Sequence, residues 1–187
     1  MYPESARING VDYKINTDFK VALECFRIIE DDTIEDEERS LAIIYKLFGF
    51  IPDKDRDLFL DRAIKFLQCG ETTEKQLSKE KDLDFFQDEK YITASFMSDY
   101  KLDLSKEDIH WWQYINLIQG LTENSILSRV RYIRNYDLSE IKDNKERQKM
   151  IEAKNSVALK EKKTKKQLED DEFFNKLLKG EKVWMVQ

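Results

Sequence analysis

Side chains able to do chemistry are few in this chain and lie far apart. The only histidine, His110, stands in the string IHWWQYINLIQGLTENS beside Trp111 and Trp112. An imidazole can act as a base, a metal ligand or a surface group. Catalysis also needs a nucleophile and an orienting group in reach. The nearby carboxylate Asp108 is two positions away, on a different helical face, and there is no Gly-x-Ser-x-Gly elbow. Cys25 and Cys69 sit on separate apolar helical stretches, making neither a ligand cluster nor a disulfide framework, which fits a reducing compartment. The run EDDTIEDEE, residues 30–38, carries seven acids and no base. Such oxygens suit a hard cation, but the run lacks the ligand spacing and glycine of a calcium loop. It reads as a solvated, helix-capping turn. KEKKTKK, residues 160–166, could touch phosphate, yet EDDE follows two residues later and blunts its field within a Debye length. No catalytic residue, cofactor or metal is expected.

The tryptophan pair is better explained by packing. Successive helical residues point about 100° apart. Trp111, Tyr114, Ile115 and Ile118 form one stripe, apolar throughout. Ile109, Trp112, Asn116 and Gln119 form another. Trp111 is therefore expected in the core and Trp112 at an edge or against another element, each seeking a partner for its N–H.

The elements that must position these residues read as helices. With five glycines and two prolines in 187 residues, the chain has too few turn formers for a sandwich or barrel. Charged residues make up 37%, so long solvated faces are expected. A net charge of −6 disfavours a dedicated nucleic-acid binder. No basic-then-apolar leader opens the chain and no run of 18 uncharged apolar residues occurs, so neither export nor a membrane span is expected.

Asn9-Gly10 supplies the turn of a hairpin whose apolar face carries Val11, Tyr13 and Ile15. A first helix follows, capped by Asn16, Thr17 or Asp18 and striped by Phe19, Ala22, Leu23, Phe26 and Ile29. Thr33 with Asp36 is a capping pattern for the second, which includes Leu47 and is stopped by Gly49 and Pro52. The third lines up Leu60, Ala63, Ile64 and Leu67 before Gly70. Phe85, Ile92, Phe96 and Tyr100 share a helix side, with Asp84 as cap. Ser105 with Asp108 is a capping box before the tryptophans, and Thr122 with Ser125 a weaker cap for Ile126, Val130 and Ile133. Asp137 and Ser139 mark a turn. The expected core is Phe19, Phe26, Leu47, Ile64, Phe96, Trp111, Ile115 and Val130.

The organisation that follows is a mainly α-helical protein: an irregular helical bundle with a small N-terminal β-hairpin and an extended C-terminal helix. Residues 1–70 hold the hairpin and a helical module, 71–83 a charged linker or loop, and 84–140 a second module able to pack with the first. Residues 141–187 form a charged helix and an amphipathic tail. Residues 142–166 hold ten bases and four acids, with a sparse stripe of Met150, Lys154, Val157 and Ala158. A helix over 143–166 would be about 36 Å long. Beyond it, Phe173, Phe174, Leu177, Leu178, Trp184 and Met185 make an apolar end that either folds back or docks on a partner groove.

Several strings carry a resemblance: YKINTDFKVALECFRIIEDD, ERSLAIIYKLFG, AIKFLQCG, FFQDEKYITASFMSDYKLDL, HWWQYINLIQGL and RVRYIRNYDLSEIKDNKERQKMIEAK. Together they resemble the Gp-fifteen family of siphophages infecting Gram-positive bacteria, from about Val11 to Val157. The resemblance implies a protein encoded just ahead of the tape measure protein, the position of tail assembly chaperones, which shield a long apolar helical chain while the tail polymerises. The implied partners are the tape measure protein and the tail tube protein, with self-association open. The implied location is the host cytoplasm, outside the mature virion. It brings no catalytic motif. Two other readings remain: a structural tail subunit, and a nucleic-acid-associated phage protein using the basic face of residues 142–166.

Overall fold

The computed structural model describes residues 1–70 and 81–160. Strands β1 (Ser5–Ile8) and β2 (Val11–Lys14) pair antiparallel, with Ala6 opposite Tyr13 and Ile8 opposite Val11. Asn9 and Gly10 turn between them at φ 49 and 83, the left-handed pair that this two-residue connection demands. Ala6, Ile8 and Ile15 are buried, and the Tyr13 ring meets Phe59 edge-on at 4.9 Å. Val11, expected on the covered face, is 52% exposed. It follows the turn directly, and the core closes over its partner Ile8 instead.

Seven α-helices follow among the described residues: α1 (Phe19–Ile29), α2 (Asp36–Phe48), α3 (Arg56–Leu67), α4 (Glu89–Tyr100), α5 (Trp111–Gln119), α6 (Ile126–Asn135) and α7 (Asn144–Val157). Asp18 caps α1, its carboxylate accepting from the Lys20 amide at 2.8 Å. The Thr33–Asp36 capping pattern is not used. The Thr33 hydroxyl donates to Asp31, and α2 starts at Asp36 without a side-chain cap. Its first turn holds Asp36, Glu37 and Glu38, acids that complement the helix dipole. Gly49, at φ 79, ends α2 as expected. On α3 the buried face is Phe59, Ala63, Phe66 and Leu67. Leu60 and Ile64 are only half-buried because the two phenylalanines take the inward line, turning the stripe by roughly one residue.

A continuous buried cluster joins the two halves of the chain. It includes Phe19, Ile44, Leu47, Phe59 and Phe66 from the first half, and Ile92, Phe96, Trp111, Tyr114 and Leu127 from the second. Phe26 and Ile115 pack against it half-buried, and Val130 is buried on α6. Backbone bonds pin the starts of α1 and α5 together: the Phe19 amide donates to the Ile109 carbonyl at 2.9 Å, and the Trp111 amide to that of Thr17 at 2.7 Å. Helices α1 and α4 both pack on α5, and α6 packs on α4.

The last described helix is shorter than its charge pattern suggests. Helix α7 packs on α6 and ends at Val157, and residues 158–160 are not helical. The Val157 carbonyl accepts from Arg134 Nε at 2.6 Å. The Lys160 amide donates to the Gln87 side-chain carbonyl at 2.8 Å, and the Gln87 side-chain amide donates to the Lys160 carbonyl at 3.0 Å. These bonds draw the chain off α7 and across the entry to α4.

Candidate partner-binding trough

The histidine and both tryptophans act on backbone. His110, not the expected Ser105–Asp108 box, caps α5, its Nδ1 accepting from the Trp112 amide at 3.1 Å. Its other ring nitrogen lies 3.0 Å from the Pro3 carbonyl, and Tyr2 stacks on the ring at 5.0 Å. The tautomer that fits both bonds has its proton on Nε2, which donates to Pro3 while Nδ1 accepts. The Trp111 and Trp112 indoles donate to the carbonyls of Leu67 and Phe66 at 2.8 and 2.9 Å. A helix leaves its last four carbonyls without intrahelical partners; at the end of α3 the Trp111 indole satisfies that of Leu67, and the Trp112 indole joins the Cys69 amide, at 3.1 Å, on that of Phe66. Gly70, at φ 77, passes so near that an added Cβ would lie 3.2 Å from the Trp112 ring.

A buried polar hub fixes the second half. Arg134 on α6 grips Asp88 with two bonds of 2.7 Å and donates to the Asp82 carbonyl at 2.9 Å. The side chains of this pair are 10% and 1% exposed. Asp88 also accepts from the Asp84 amide, while Asp84 caps the turn before α4 by accepting from the amides of Phe86 and Gln87. Burial pushes the Asp84 carboxyl upward, but the Gln87 and Phe86 amides and the Lys81 ammonium outweigh it and hold it below its ordinary value. Lys81 also reaches Glu30, and Arg131 pairs with Asp82. The last residues of the expected linker are thus held on both sides, while residues 71–80 lie outside the described part.

Beside this hub, α1 and α4 lean on α5 and leave a trough of about 420 Å³ between them. Its floor is Phe19, Ile92, Leu104 and Tyr114, with Phe19 and Tyr114 stacked at 4.6 Å. Its walls are Leu23 from α1 and Phe85 and Phe86 from the turn before α4. Lys20 and Arg27 rim one side and Glu89 and Thr93 the other, and the Arg27 guanidinium lies over the Phe86 ring at 4.8 Å. Burial, with a smaller push from Glu89, raises the Tyr114 phenol well above its usual value, so it stays neutral. The arrangement suits an apolar helix face, since an amphipathic helix binds by laying such a face into a groove. A larger hollow of about 530 Å³ near His110 is bounded by Lys14, Asn16, Asp18, Lys46 and Asp108. Another, about 440 Å³, is lined by residues that include Trp111, Trp112, Cys69 and Leu83.

The residues singled out for partner contact, Phe173, Phe174, Leu177, Leu178, Trp184 and Met185, lie outside the described residues, as does most of the basic run 160–166. Sequence reasoning missed the trough and the Arg134–Asp88 hub. Among the described residues no group of three or more His, Cys, Asp or Glu could hold a metal, and no helix is long and apolar enough to cross a membrane.

Fold and surface together define a small, mainly helical protein with an apolar trough. The sequence matches the family model described as Bacteriophage Gp15 protein over residues 2–159, and the chain belongs to that family. It is a phage protein. No curated protein and no solved structure matches it.

Proposed function

We propose that this phage protein is a tail assembly chaperone that binds the tape measure protein and shields its apolar helices while the tail forms. Family membership across residues 2–159 carries the reading. The trough supports it, because its apolar floor and mixed-charge rim suit one turn after another of an amphipathic client helix. The mechanism is transient burial, with no catalysis and no cofactor. The tail tube protein is a second candidate partner. The protein acts in the host cytoplasm and leaves before the virion is complete.

Co-expression with the tape measure protein encoded downstream is the test. The tape measure protein moves into the soluble fraction with this chain and returns to the pellet with Leu23→Asp, a change at a half-buried trough-wall residue, with the urea midpoint measured alongside. Equal insolubility with and without the chain would overturn the proposal. Purified virions should lack the protein; finding it there in stoichiometric amount would favour a structural subunit.

A further inference from the structure

The outer edge of β2 has no neighbouring strand. Residues flanking a two-residue hairpin turn exchange backbone bonds, and bonded and unbonded pairs then alternate along the ladder. Ile8 lies opposite Val11 and Ala6 opposite Tyr13, and the Ile15 amide donates to the Glu4 carbonyl at 2.9 Å. Residues 11, 13 and 15 therefore bond inward, and Asp12 and Lys14 aim their N–H and C=O groups outward. Among the described residues nothing outside the hairpin bonds the main chain of either, and both residues are exposed. Beside this edge lies the hollow of about 530 Å³ near His110. Its lining includes Lys14 and Ile15 on one side and Leu47, Phe48 and Gly49 on another, with no residue of β1, so it opens on the unpaired side of β2.

Three antiparallel self-pairings bring these outward groups together across a two-fold axis. An axis centred on Asp12 sets Asp12 against its own copy. One centred on Lys14 sets Lys14 against its own copy. One centred on Tyr13 sets each Asp12 against Lys14 of the other chain, makes hydrogen-bonded pairs of both, and leaves Tyr13 opposite Tyr13. Unlike charges directly opposite favour a ladder and like charges oppose it, so charge selects the Tyr13 register. The same register sets Val11 of the second copy opposite Ile15. Both side chains then lie on the face that carries Tyr13, toward the Leu47 and Phe48 of the hollow. Val11 is 52% exposed in the single chain, and this contact covers it.

We propose that a second copy of this chain docks along β2, joining the two hairpins into one sheet across a two-fold axis at Tyr13. The interface goes beyond the chaperone reading and does not depend on the client. An isologous pairing uses the same edge on both chains and closes at two copies. It also removes an open edge that would otherwise recruit stray strands.

Sedimentation equilibrium of the full chain over a range of concentrations is the test, with urea midpoints measured for every variant. The unaltered chain should dimerise. Asp12→Lys sets lysine against lysine and Lys14→Asp sets aspartate against aspartate, and each alone should weaken dimerisation about tenfold or more. Mixed together, the two variants oppose lysine to aspartate at both pairs, so the mixture should regain a dimer with one chain of each kind. A damaged hairpin cannot give that rescue. A chain still monomeric at about 1 mM, a dimer indifferent to either change, or a mixture that fails to reassociate would overturn the inference. So would a dimer lost only with Leu23→Asp, which would put the second copy in the trough. A monomer that loses tape measure rescue with Lys14→Asp would put a client strand at this edge and overturn it as well.

Discussion

Arg134 is where the structure makes its most demanding energetic claim. The guanidinium joins α6 to the Asp88 carboxylate with two bonds of 2.7 Å, to the Asp82 carbonyl at 2.9 Å and to the Val157 carbonyl at 2.6 Å. Arg134→Met keeps much of the apolar stem and removes every one of these bonds. It leaves Asp88, 1% exposed, with the Asp84 amide at 3.1 Å as its remaining bond. Stranding one partner of a buried pair costs about 3–5 kcal/mol. Against a total stability of about 5–15 kcal/mol that is a large share. It corresponds to a fall in Tm of about 10 °C for a chain of this size. Equilibrium urea unfolding followed by tryptophan fluorescence would measure it. Arg134→Met with Asp88→Asn should be more stable than the sum of the single changes, by about 1–3 kcal/mol, because the stranded charge is gone. A loss below about 1 kcal/mol for Arg134→Met, together with strict additivity, would refute the buried-pair reasoning.

Other outcomes follow from single contacts. Trp112→Phe removes the indole donor to the Phe66 carbonyl and should cost about 1 kcal/mol in urea unfolding. Gly70→Ala should lose at least about 1 kcal/mol, since alanine must hold φ 77 with its Cβ at 3.2 Å from Trp112; a stabilised variant would contradict this geometry. His110→Ala, which removes the α5 cap, should cost about 1 kcal/mol, and His110→Asn should restore part of it. Burial, then the charge of Glu24, push the Cys25 thiol up to about 12 from 9.0 despite Lys46. The unfolded chain ionises first as pH rises, so this stabilising contribution is whole below pH 9 and drains away toward pH 12. Stability measured from pH 8 to 11 should therefore fall less steeply in Cys25→Ala than in the unaltered chain; parallel curves would remove Cys25 from the account.

Local signals decided the elements. Asn9-Gly10, Asp18 and Gly49 act where chain chemistry says they should, because turn and cap preferences depend on a few neighbouring residues, whereas Ser125 and not Thr122 caps α6. The burial of Trp111 followed from an apolar line along one helix. Family kinship was also legible in the strings themselves. What those strings could not reveal was which partner each side chain meets. His110 became a cap only because the chain before it pairs with the start of α1. Both tryptophans bond carbonyls more than forty residues away, and Arg134 finds Asp88 across a separation of 46. The end of α7 was decided by Gln87 and Arg134, against a charge pattern that would have continued the helix. The trough is likewise a product of two helices leaning on a third. A helix is specified by contacts three and four residues apart, but a groove exists only once distant helices have taken their places, and no one-dimensional period records that.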